Sequence, residues 1–167
     1  FFNLIAVYVD KNLDTVRLFL VIDSIFSTWF SIILSAEDET GKRKLLGETI
    51  AHTGYIIMIF QIFISRIFEK FKAIPSFNLG LFVASLGMFT IGYAYLSAPE
   101  FVFLGIFFFA VGEMISSPRI QEYIMWLAPK EKAGLYMGTN FLATGLGGAL
   151  SGVTYTSLYG YFRDTGN

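Results

Sequence analysis

Residues 77–127 read FNLGLFVASLGMFTIGYAYLSAPEFVFLGIFFFAVGEMISSPRIQEYIMWL, two long apolar runs joined at the corner Ala98-Pro99-Glu100. The first run, 77–97, carries no charge at all. A hydrocarbon core of about 30 Å takes roughly 20 residues of helix at about 1.5 Å each, so either run is long enough to cross one. A soluble helix of that length shows a polar face, and 77–97 shows none. The corner is so short that the second helix must return antiparallel to the first, and Pro99 sits where a missing N–H costs least. The pair reads as a membrane hairpin.

Three further stretches extend the pattern on either side, approximately 17–35, 49–69 and 134–162, and the hairpin's second arm is taken as 99–127. Their connectors, AEDETGKRKLLGE, EKFKAIPS and APKEKA, are short and hold Pro75 and Pro129 at or beside corners. Composition agrees: 54% of the 167 residues are hydrophobic, 15% are charged and there are 19 Phe and 9 Tyr, more large apolar side chains than a core of this size can hide. The expected fold class is an all-α membrane protein with about five spanning helices. Residues 1–16 begin FFNLIAVYV and read as the end of an upstream helix or a linker, 17–162 as the helical bundle, and 163–167 as a truncated external turn. On this reading the chain is a fragment, and its first apolar run, with no basic stretch before it and no small-residue cleavage site after it, does not read as a signal peptide.

Orientation is expected from the basic residues on alternate sides. Lys11, Arg17, Arg66, Lys70, Lys72, Arg119, Lys130 and Lys132 fall on one side, and Lys42, Arg43, Lys44 and Arg163 on the other. Eight against four places the first set in the cytoplasm and makes 36–48 an external loop, its bases balanced by Glu37, Asp38, Glu39 and Glu48.

Several functions are disfavoured by what is missing. A net charge of -1 with no basic stripe argues against nucleic acid. Without cysteine there are no disulfides or thiol chemistry, and a single histidine makes a structural zinc site improbable. No HExxH, serine-nucleophile or phosphate-loop motif occurs, and GLGGALSG lacks both the GxGxxG spacing and a preceding strand. No cofactor is expected.

Two carboxylates stand out, because a charge inside a bilayer costs at least about 2.5 kcal/mol and faces a cavity or a partner. Asp23 lies six residues into its helix and Glu113 fourteen into its own. By helical rise these are depths of about 9 Å and about 21 Å from opposite faces, close to the same level. One shared cavity is therefore expected, in which protonation is coupled to opening or solute release, with its counter-charge supplied from outside this chain. The alternatives are a solvated helix-end residue for Asp23 and a hydrogen bond to a neighbouring helix for Glu113. Arg119 reads as a snorkelling anchor with local partners Glu122 and Tyr123, His52 as a wet interfacial histidine, and Ser116, Ser117 and Pro118 as a loosened turn below Glu113. In the last helix Gly134 and Gly138, and Gly148 and Gly152, are four apart with Gly145 and Gly147 between. A packing face is expected there, with a hinge in a substrate path, at Gly145 and Gly148, as the alternative.

The stretch GEMISSPRIQEYIMWLAPKEKAGLYMGTNFLATGLGGALSG, 112–152, resembles the tenth and eleventh helices of the major facilitator superfamily. Within that superfamily it is most similar to the proton-dependent oligopeptide transporters, through Glu113, Ser117, Pro118, Ala128, Pro129 and Lys130. DSIFSTW, from Asp23 to Trp29, resembles their seventh helix. The resemblance implies most of a C-terminal six-helix half with its last helix missing. It implies that Glu113 binds a substrate amino terminus together with a lysine of the N-terminal half, and that Asp23 takes part in gating or proton coupling, with Trp29 and Ser117 beside them. There are departures: His52-Thr53-Gly54 stands where the family has Asn-Pro, and Arg119 replaces a small residue.

The expected function is secondary active transport of a small solute, driven by protons, with peptides the first guess. Partners are the solute, protons, the bilayer of a plasma or inner membrane and the missing half. A non-transporting subunit or scaffold whose Gly-rich helix binds partner helices is the alternative, and an intramembrane enzyme would need a further catalytic residue near Glu113.

Overall fold

A computed structural model describes residues 2–37, 41–51 and 54–164. His52, Asp38 and Glu39 lie outside the described residues, as does 165–167. The elements run α1 (Phe2–Asn12), α2 (Thr15–Ile25), α3 (Thr28–Ile33), β1 (Ser35–Glu37), β2 (Arg43–Leu45), α4 (Gly47–Ala51), α5 (Gly54–Phe68), α6 (Ala73–Leu96), α7 (Phe101–Leu127), a 3-10 turn (Lys130–Lys132) and α8 (Ala133–Asp164). They fall into two compact units, Phe2–Ile120 and Gln121–Asn167.

The predicted hairpin is α6 and α7, and what holds it is glycine. A Cβ placed on Gly80 would stand 2.7 Å from the Ser116 amide nitrogen, and one on Gly87 would stand 2.5 Å from the Phe109 amide nitrogen. From the other side, a Cβ on Gly105 would meet the Ile91 side chain at 2.6 Å, and one on Gly112 would run into the Ala84 backbone. Gly80 and Gly87 are seven apart, as are Gly105 and Gly112, so each pair stays on one face of its helix and the two faces meet in antiparallel register. These four glycines are packing residues that the sequence reading did not single out. A Cβ on Gly134, Gly138, Gly145, Gly147, Gly148 or Gly152 meets nothing within 4 Å among the described residues.

At the Pro99 end of this hairpin the short elements form a cap. Ile5, Ala6 and Val9 of α1, Leu18 of α2, Leu45 of β2 and Ala51 of α4 join Ile91 and Ala94 of α6 and Val102 and Ile106 of α7 in one apolar cluster. Asp10 accepts the Gly47 N–H at 2.8 Å and so holds the start of α4 against α1. The Tyr8 hydroxyl donates to the Ile91 carbonyl at 3.2 Å, and burial raises its pKa above the ordinary tyrosine value. Arg17 pairs with Glu100 at 2.5 Å. The expected external loop contains an unforeseen antiparallel hairpin, β1–β2, in which Glu37 faces Arg43 across the strands at 3.0 Å and Gly41 takes a φ of +75° in the connection.

Among the described residues three stretches are long and apolar enough to cross a membrane: Gly47–Phe68, Ala73–Leu96 and Phe101–Leu127, with mean hydropathies of 1.5, 1.6 and 1.7. The all-α membrane class holds, and two expected spans differ in detail. The first breaks where Phe26 and Ser27 turn extended, leaving helices of 11 and 6 residues. Those are about 16 Å and 9 Å long, too short to span. The fifth is a single helix of 32 residues, ample in length, but Gly, Thr, Tyr and Ser dilute its apolar character and leave it outside that set.

The orientation argument changes as well. Arg17 meets Glu100 and Asp10 meets Gly47, so Lys11 and Arg17 belong at the Pro99 end, beside Lys42, Arg43 and Lys44. Lys11 and Arg17 therefore leave the side on which the count had placed them, and the eight-against-four division does not hold.

Two outcomes are expected. Gly112→Val in the full-length protein should lose about 1–3 kcal/mol of stability by overpacking, read as a lowered melting temperature in detergent, whereas Gly138→Ala should change it little. Single cysteines placed at Lys44 and Lys70 in a cysteine-free background should label from opposite faces of the membrane, and one at Arg17 should label from the same face as Lys44.

Candidate functional site

Glu113 lies twelve residues into α7, about 18 Å from the Pro99 end by helical rise. It follows Gly112, which faces α6, and so stands about 100° further round the helix on the flank of that contact. Its side chain is half-buried and its Oε2 is closed off from solvent. The residue has an interaction partner within the structure. One residue further on, a cavity of about 440 Å³ opens between α5 and α7. Met114, Ile115, Pro118 and Arg119 line it from α7, and Ile62, Ser65 and Arg66 from α5, with Glu69 just beyond the helix end.

Arg119 is buried, with 9% of its surface exposed, and is not the snorkelling anchor expected. It lines the α5–α7 cavity, where packing beside α5 shields it from solvent. Helix α7 runs unbroken through Ser116, Ser117 and Pro118. Proline has no N–H to give the Met114 carbonyl one turn back, and Met114 itself lines the cavity, so the loosening is in hydrogen bonding and not in the path of the chain. Ser117 and Pro118 are exposed.

Asp23 is placed differently. It sits two residues before the end of α2, and the Ser31 hydroxyl of α3 donates to its Oδ1 at 2.6 Å. Ser31 is fully buried, with the Thr28 carbonyl 3.0 Å away as the alternative acceptor for its one hydroxyl proton, so the Asp23–Ser31 pair closes the break between α2 and α3. Neither Asp23 nor Glu113 lines the α5–α7 cavity. Because α2 ends at Ile25 and turns into α3, helical rise does not by itself measure the depth of Asp23 across the bilayer. Trp29 on α3 is 71% exposed, and Gly145 and Gly148 lie on the exposed face of α8. What the sequence left unnoticed is that Arg66 and Arg119, near the same end of two spans, line one cavity.

A model of the Major Facilitator Superfamily matches residues 8–152, from the middle of α1 into α8, and so takes in the hairpin, the cavity and both carboxylates. The chain belongs to the major facilitator superfamily. Comparisons with curated proteins and with solved structures give no match. Membership in this superfamily makes the chain an integral membrane protein of the class of secondary transporters of small solutes, whose members are transporters and not enzymes. Ser31→Ala should lower stability by about 1.5–3 kcal/mol, since it removes a donor from a partly buried carboxylate, and a thermal melt in detergent reads it.

Proposed function

We propose that this superfamily member is a proton-coupled carrier of small zwitterionic solutes, with peptides the first class to test, in a plasma or inner membrane. It works as a C-terminal helical half against a second six-helix half, moving solute by rocking around a central path. The observation that supports this is the placement of Glu113. Across the apolar stretches 54–65, 73–96 and 101–118 it is the only charged residue. A carboxylate kept at that depth against an insertion penalty is characteristic of proton and substrate pathways.

A zwitterion brings the ammonium that such a carboxylate binds, and proton uptake by the carboxylate releases it. Glu113 therefore binds the solute amino group and carries the coupling proton. Asp23, at the junction of α2 and α3, takes the gating part, because any change in its bond to Ser31 alters the angle between those two short helices. Trp29 and Ser117 are exposed and available to a solute or to the second half. Gly145 and Gly148 supply a flexible stretch of α8.

Reconstitution tests this. In proteoliposomes with an imposed pH gradient, the full-length protein should accumulate a labelled dipeptide, and Glu113→Gln should reduce uptake to the level of empty vesicles while elution profile and melting temperature stay at wild-type values. Uptake unchanged by that substitution, in protein that folds normally, overturns the role given to Glu113. Flux of other solutes but not of zwitterions overturns the substrate class alone.

A further inference from the structure

The end of α5 carries more positive charge than the transport reading uses. Arg66 and Lys70 line a second cavity of about 400 Å³, whose remaining walls are Ile62, Phe63 and Ile67. This groove and the α5–α7 cavity share Ile62 and Arg66, so the two meet at the Arg66 side chain. Phe63 is 66% exposed and Ile67 57% exposed on a stretch long and apolar enough to cross a membrane, so this groove is an open apolar surface among the described residues. Arg66 is in the last turn of α5 and Lys70 lies two residues past its end, and lining one groove places both cations on one side of the helix end. Arg119 adds a third cation in the adjoining cavity, and Glu69 is the one carboxylate that lines either of the two.

The combination is amphipathic in a specific way. An apolar groove of aromatic and aliphatic side chains runs along the membrane-spanning part of α5, and its end is marked by cations that bind a phosphate by charge-assisted hydrogen bonds. A free anion accounts for the cations and not for the groove, and a neutral lipid accounts for the groove and not for the cations. We propose that the end of α5 is a binding site for an anionic phospholipid, with its phosphate at Arg66 and Lys70, its glycerol end toward the Arg119 cavity, and an acyl chain along Ile62, Phe63 and Ile67. Basic pockets between spanning helices select anionic head groups in this way. The site is distinct from Glu113, which lines neither cavity.

The test uses the full-length protein in detergent, with bound lipid read by native mass spectrometry against added phosphatidylglycerol or phosphatidylcholine of equal chain length. Phosphatidylglycerol should bind at least about tenfold more tightly, since each basic residue at such a site contributes roughly fivefold. R66Q/K70Q should remove that preference and R66K should keep most of it, with melting temperatures showing that both variants fold. Equal binding of the two lipids, or a preference that survives R66Q/K70Q, overturns the proposal. Inorganic phosphate displacing phosphatidylglycerol at millimolar concentration marks a site for free anions and also overturns it.

Discussion

Lipid gives apolar helices no hydrophobic reason to meet, so α6 and α7 come together only because their backbones can touch. At Gly80, Gly87, Gly105 and Gly112 the space a side chain would need is already occupied by the partner's main chain. Approach this close replaces lipid contacts with dispersion between backbones and with weak Cα–H···O contacts of the kind Gly80 and Gly112 are placed to make. Because the glycines recur at seven residues, the contact persists along the helices and sets a single register between them.

That register positions the rest of the first unit. It brings Ile91 and Ala94 level with Val102 and Ile106, and this apolar corner is the surface on which α1, α2, β2 and α4 gather. The polar bonds of the cap, Asp10 to Gly47, Tyr8 to Ile91 and Arg17 to Glu100, each join segments far apart in sequence and fix which end of the bundle the short elements occupy. On the other side of α7 the same register turns Met114, Ile115 and Arg119 toward α5 and leaves Glu113 on the flank of the glycine seam.

Charge is consequently distributed by level along the bundle. The Pro99 end carries paired charges in the cap, the middle of α7 carries Glu113, and the end of α5 carries the cations Arg66 and Lys70 beside Arg119. Charge at the ends meets water or lipid head groups, whereas a carboxylate in the low-dielectric middle carries an insertion penalty.

The membrane class, the α6–α7 hairpin and the solitary carboxylate at Glu113 were determined by the sequence alone, because each follows from local properties: run length, the absence of charge and a proline corner. The resemblance over 112–152 rests on the same kind of local pattern, and the superfamily match agrees with it at that coarser level. Only the tertiary structure decided which glycines pack, since Gly112 and Gly148 look alike until a neighbouring backbone is present beside one of them. It also decided that Asp23 bonds to Ser31 across a helix break, that Arg119 is buried, and that Arg17 lies beside Glu100. Those depend on where segments eight to eighty-three residues apart come to lie, and neither helical rise nor the count of basic residues contains that information.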